Sequence, residues 1–234
     1  MTDKNQALIA LFQNEFADFE DFSEFPVRVK LKCNCCESCQ VDLSREASYT
    51  GILGDTNTDI MIVAESPSTK NGNGCFVGGS INNLLRSKDK NLKSLINFIT
   101  NYDVKKRQPY FTDTIKCGLE KTREKEKLNP RKDNCIKKFL LKEIEIIQPK
   151  LIVCLGNHSY DILARLIRDS KISNGIELVK VHHYSNRASL TLTIEDKENI
   201  IWPIQFKMLN KNEALNKALT IKHLQEMINR IKNE

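Results

Sequence analysis

Residues 149–170 read PKLIVCLGNHSYDILARLIRDS. The run from Lys150 to Leu155 is short, apolar and rich in branched side chains, and Gly156 closes it. Ser159 to Ser170 then follows a helical pattern. A strand that is apolar at every position must be covered on both faces, as strands of parallel sheets are. A strand, a glycine and a helix in that order therefore predict an α/β unit.

The same unit recurs outward from this point. Asp59 to Ala64 is a second apolar run, ending in the turn Ser66-Pro67-Ser68. Tyr110 to Ile115 and Ile176 to Val181 are two further strand candidates. Helical patterns fill the spaces at Ile81 to Thr100 and Lys132 to Ile147. The N-terminal segment from Asn5 to Phe22 carries Leu8, Leu11, Phe12, Phe16 and Phe19 at helical spacing, and Pro26 ends it. Asn212 to Lys232 reads as a closing helix, whereas Arg187 to Leu209 shows no clear pattern. The expected fold class is α/β: three layers, α/β/α, around a central four-stranded parallel sheet. One domain is expected over 1–234, with a helix and lead-in at 1–30, a core at 31–210 and a C-terminal helix at 211–234.

The chain has 234 residues, 26.9 kDa, 40% apolar and 28% charged residues. That is enough to bury a full core without disulfide staples. The composition excludes collagen and long disorder, and no apolar run approaches the roughly 18 residues of a membrane span. The acidic, amphipathic N-terminus lacks the basic and apolar regions of a secretory signal, so a cytoplasmic location is expected. The net charge is +6. It is concentrated: Lys116 to Lys142 holds ten basic and four acidic residues, as a contact with a phosphate backbone would require.

Eight cysteines are present, and Cys33, Cys35, Cys36 and Cys39 crowd into CNCCESC. Clustered cysteines in a reducing compartment point to metal rather than to disulfides. Cys154, inside the third apolar run, reads as a small core residue. In an open parallel sheet, ligands bind at the carboxyl ends of the strands. Those ends carry Glu65-Ser66-Pro67-Ser68, Asp113 with Lys116-Cys117, Gly156-Asn157-His158 and His182-His183-Tyr184-Ser185. They are the polar, catalytically capable groups of the sequence.

These pieces, in this order, resemble the uracil-DNA glycosylase superfamily, most closely its iron–sulfur branch, family four. The matching segments are Cys36-x-x-Cys39, Ala64-Glu65-Ser66-Pro67-Ser68, Gly74-Cys75-Phe76-Val77-Gly78, Thr112 to Cys117, Cys135, Pro149 to Gly156 and His183-Tyr184-Ser185. The resemblance spans Cys36 to Ser185. It implies a 4Fe–4S cluster on Cys36, Cys39, Cys117 and Cys135. Cys33 paired with Cys36 is an alternative first pair, and zinc on four thiolates is the alternative cofactor.

The resemblance also implies the reaction. A pyrimidine nucleotide is flipped from DNA into a pocket and its N-glycosidic bond is hydrolysed. His183, or His182 if the register moves by one, matches the donor to the departing base. Glu65 borders the attacking water, which Asn71 or Asn73 positions. Phe76 matches the aromatic that stacks on the base, with Ser66 and Ser185 lining the pocket. Asn186 and Arg187 match the loop that enters the minor groove, and Lys116 extends the DNA contact. No lysine nucleophile stands in these motifs, so no strand-cleaving step is expected. DNA is the expected partner of a monomer that needs no protein partner and no membrane.

Among the departures from the family pattern, which include Ser66 and Ser68 in place of alanine and glycine, two bear most on the reaction. Tyr184 replaces a proline. Asp113 replaces the asparagine that reads the uracil edge. An ionised carboxylate only accepts hydrogen bonds. It would face the 4-oxygen of uracil unfavourably and the 4-amino group of cytosine favourably. Excision of ordinary cytosine would harm a host, so a modified cytosine of phage DNA, and with it antiviral defence, is the expected target. Uracil repair and non-catalytic binding of damaged or modified DNA are the alternatives.

Overall fold

A computed structural model of the chain describes residues 3–15, 48–49, 52–66, 95–97, 99–101, 105–118, 128–181, 225–226 and 228–230. Four of the strands form where the sequence predicted them, within residues 59–64, 110–115, 150–155 and 176–181, whereas the two short ones at 48–49 and 117–118 were not predicted. β1 is Ser48–Tyr49, β2 Ile60–Ala64, β3 Tyr110–Asp113, β4 Cys117–Gly118, β5 Leu151–Leu155 and β6 Glu177–Val181. Every residue of β2, β3 and β5 is buried, which is why β2 and β5 read as unbroken apolar runs.

β2, β3, β5 and β6 make one all-parallel sheet in the order β3-β2-β5-β6. Side chains alternate between its faces. Met61, Val63, Tyr110, Ile152 and Cys154 pack on one side with Leu8, Phe12, Phe139, Ile144 and Leu163. Ile60, Ile62, Phe111, Leu151, Val153 and Val181 pack on the other with Leu95, Ile96, Ile99 and Ile228. Helical residues thus cover both faces, giving the three layers expected from the sequence.

Among the described residues, four helices lie on the first face: α1 (Lys4–Glu15), α2 (Leu128–Cys135), α3 (Leu141–Ile147) and α4 (Asn157–Arg168). The carboxylate of Asp3 accepts from Asn5 N–H at 3.0 Å at the start of α1. Lys4 Nζ donates to the Ile147 carbonyl at 2.7 Å, and Lys138 pairs with Glu15 at 2.9 Å. The first residues of α1 therefore meet the end of α3, so the two run antiparallel. The lysine at the α3 terminus also satisfies a carbonyl that the helix itself leaves over.

Between α2 and α3, Ile136–Leu140 forms a π turn, closed by Leu141 N–H donating to Ile136 C=O. Cys135 and Glu143 would stand about 80° apart around a regular helix at 3.6 residues per turn. The wide turn absorbs one residue, about 100°, and brings them within about 20° of each other. Both are buried. Gln148, in the left-handed conformation at φ 53°, ends α3, and Pro149 prevents its continuation.

Candidate functional site

β2 is the first strand of the parallel sheet. β3 lies to one side of it, and β5 and β6 to the other. The connection direction reverses between β2 and β5, and ligands bind beyond the strand ends at such a point. Glu65 and Ser66, just past β2, are exposed there. Gly156, just past β5, has φ 86°, a conformation that suits glycine. Its N–H donates to Val181 C=O at 3.0 Å, tying the ends of β5 and β6 together. α4 starts at the next residue, so its N-terminus also opens on this edge.

Asp113 ends β3 in register with Ala64 and is 2% exposed. The next residues cross back to β2. Thr114 N–H donates to Ala64 C=O at 2.9 Å and Ile115 N–H to Glu65 C=O at 3.0 Å. The Thr114 hydroxyl donates to the same Glu65 carbonyl at 2.8 Å. The Glu65 main chain is therefore fixed while its carboxylate reaches solvent.

His158, on the first turn of α4, was among the polar strand ends in the sequence but had no role there. Its Nε2 and the Ser159 hydroxyl are enclosed without a hydrogen-bond partner among the described residues. Burial pushes the His158 imidazole pKa below its usual value; Glu65 and Asp161 oppose that shift, and Lys132 adds to it. The ring is thus held neutral at pH 7 beside Glu65. Only the sheet order, which sets β2 against β5, brings these two residues together.

Lys116 requires a correction. The sequence placed it among the DNA contacts, but it is 1% exposed. Its Nζ lies 2.6 Å from Glu143 Oε2, also donates to the Thr112 hydroxyl, and sits 5.7 Å from the centre of the Phe12 ring. Tyr110 Oη donates to Glu143 Oε1 at 2.8 Å and Thr112 Oγ1 to the same oxygen at 3.0 Å. Burial, followed by the charge and hydrogen bond of Glu143, raises the Tyr110 pKa well above its usual value. A lysine so enclosed cannot reach a phosphate. Its charge is matched within the core because Tyr110, Thr112 and Glu143 satisfy one another there.

The cysteines begin to gather next to it. Lys116 N–H donates to Cys135 Sγ at 3.4 Å. Cys117, the following residue, pairs with Tyr49 through the antiparallel β1–β4 ladder. That ladder brings the chain ten residues beyond Cys39 alongside Cys117. Two of the four proposed ligand positions, and the segment leading from the other two, thus meet in one region. A buried sulfur that accepts an N–H bond suits thiolate ligation to a cluster. Cys36 and Cys39 lie outside the described residues, as do Cys33 and Cys35, and among the described residues no three potential metal ligands gather. Cys154 is a core thiol, its pKa pushed up by burial to about 12.

The sheet, its switch point and the polar edge all fall within residues 52–204, which match the family model described as the uracil DNA glycosylase superfamily. The chain belongs to that superfamily. No match was found among curated proteins. Members of the uracil DNA glycosylase superfamily are DNA glycosylases, hydrolases that act on DNA. No described helix is long and apolar enough to cross a membrane.

Of the site residues expected from the sequence, Glu65, Ser66 and Asp113 meet at the carboxyl edge of the sheet. His182, His183, Asn71, Asn73, Phe76, Ser185, Asn186 and Arg187 lie outside the described residues. β6 ends at Val181 on the same edge, one residue before His182.

Proposed function

We propose that this superfamily member is a monofunctional DNA glycosylase that removes a modified cytosine from phage DNA and so serves antiviral defence. Asp113 carries the reading. It is buried at the end of β3, beside the strand that leads to Glu65. An ionised carboxylate presents only acceptors to a base edge. Cytosine offers a donor at its 4-amino group, and uracil does not.

The proposed chemistry takes its other roles from the family resemblance. Phe76 stacks on the flipped base, Ser66 and Ser185 line its pocket, and Asp113 accepts from the 4-amino group. Water adds to C1′ of the deoxyribose, its proton passing towards Glu65, with Asn71 or Asn73 orienting it. The bond from C1′ to the base breaks, and its electron pair leaves with the base. His183 donates a hydrogen bond to the base oxygen where that charge gathers. Asn186 and Arg187 hold the opened duplex. Cys36, Cys39, Cys117 and Cys135 would hold a 4Fe–4S cluster, which would pin the N-terminal loop to the segment between Cys117 and Cys135. The N–H of Lys116 on Cys135 Sγ suits a thiolate ligand of either iron or zinc, and metal analysis separates the two.

The test is mass spectrometry of free bases released from three duplexes: host DNA, uracil-containing DNA and phage DNA with modified cytosine. Release from the phage DNA alone is the expected result. Efficient release of uracil would overturn the cytosine reading and leave base-excision repair. Binding without release from any duplex would overturn the glycosylase reading.

A further inference from the structure

The five residues from Asp113 to Cys117 are gripped from two sides. On one side, Thr114 and Ile115 bond the carbonyls of Ala64 and Glu65 at the carboxyl end of β2. On the other, Lys116 grips one helical stretch twice. Its N–H bonds Cys135 Sγ and its ammonium pairs with Glu143. The same ammonium bonds the hydroxyl of Thr112, the residue before Asp113. This closes a ring from Thr112 through the turn and back. Asp113 sits inside that ring, so its direction is set by contacts on both flanks.

An apolar pair of similar volume serves stability as well as a buried ion pair, or better. Charge and hydrogen-bond geometry add direction, which apolar packing does not. Because the sequence reading made Lys116 a DNA contact, this use of it is new.

We propose that Lys116 and Glu143 are a positioning pair that aims Asp113, and so sets how the pocket discriminates a 4-amino from a 4-oxo pyrimidine. The inference rests on the reading of Asp113 given above. Neither residue touches the base; both act through the turn between β3 and β4.

The test uses the full chain carrying Lys116→Met and Glu143→Gln together. Methionine keeps the length of the lysine stem, and glutamine keeps an acceptor for Tyr110 and Thr112. Three quantities are compared with the parent: the thermal midpoint, the hydrogen exchange of the Ile115 and Lys116 amides, and a ratio of affinities. That ratio compares duplexes carrying 5-hydroxymethylcytosine or uracil, each with a 2′-fluoro sugar that resists cleavage. The expected result is a midpoint within a few degrees of the parent, exchange faster by about tenfold, and a Kd ratio reduced by about tenfold. A structural role alone would not move the ratio at constant midpoint. If the double variant does not fold, Thr112→Val, which removes only the hydroxyl between the two charges, is measured in the same way. An unchanged ratio, or a parent that binds both duplexes alike, overturns the proposal. A parent that discriminates between them yet releases no base removes the glycosylase reading and leaves the positioning pair standing.

Discussion

Replacing Lys116 by methionine removes the ammonium 2.6 Å from Glu143 and leaves a fully enclosed carboxylate. Breaking one side of a buried pair costs about 3–5 kcal/mol. The hydroxyls of Tyr110 and Thr112 still donate to Glu143, and hydrogen bonds to a charged group are worth about 1.5–3 kcal/mol each. They hold the loss near the lower end, about 3 kcal/mol. Methionine fills the space of the lysine stem, so no cavity term adds. A domain of this size loses roughly 2–4 °C per kcal/mol, so its midpoint should fall by about 6–12 °C. Urea unfolding followed by far-ultraviolet circular dichroism measures the same loss. Glu143→Gln and the double variant complete a cycle, and the double variant, which leaves no buried charge unpaired, should stay within about 1 kcal/mol of the parent. A Lys116→Met protein within about 0.5 kcal/mol of the parent, the range of ordinary surface changes, would show that the ammonium reaches water and would refute its burial.

Four further outcomes are expected. His183→Ala should slow base release by roughly 10²–10³-fold while duplex affinity, carried by phosphate contacts, is kept; single-turnover release against filter binding measures both. Asp113→Asn should raise uracil release relative to the parent by about 10- to 100-fold, one contact's discrimination, as measured by free-base chromatography. Protein purified without oxygen should contain about four irons per chain, and elemental analysis showing zinc in their place would exclude the cluster. The neutral His158 gives an acid-sensitive term. Its folded pKa is lowered, so the unfolded chain takes up the proton first, and stability should fall as pH drops below about 6.5. His158→Gln should flatten that slope in urea midpoints between pH 7.5 and 5.5; equal slopes would contradict the burial of its ring.

The sheet was legible because Leu151–Leu155 and Ile60–Ala64 are buried on both faces and therefore carry an unbroken apolar signal. Helix ends were close for the same reason: Gly156 and Pro149 mark them chemically. Lys116 was misread because a basic stretch looks the same whether one of its members points in or out. The warning lay elsewhere. Glu143 occupies a position in phase with Phe139, Leu140 and Ile147, where an apolar residue belongs. A carboxylate on the buried face of a helix demands a cation, and no local pattern names which one. Tyr110 and Thr112, alternating on β3, were the remaining clue, since a strand that turns polar on one face has a polar partner behind it. The pairing of His158 with Glu65 depends on β5 lying beside β2. That neighbourhood is a matter of strand order, which one-dimensional spacing does not carry.

The π turn at Ile136–Leu140 makes this part of the chain unequal in its tolerance of change. Apolar exchanges within it can be absorbed, because the inward positions ask only for volume. Losing one residue can be absorbed as well: deletion in the turn would restore a regular helix with seven steps, about 700°, between Cys135 and Glu143, and leave the two within the same roughly 20° of each other. Gaining one cannot. An insertion would swing Cys135 about 100° away from the side that carries Glu143. Lys116 holds both at once, through its main chain and its side chain, and would have to release one. Length variation compatible with this fold should therefore be one-sided, and a library of single-residue changes at 136–140 should recover deletions but not insertions.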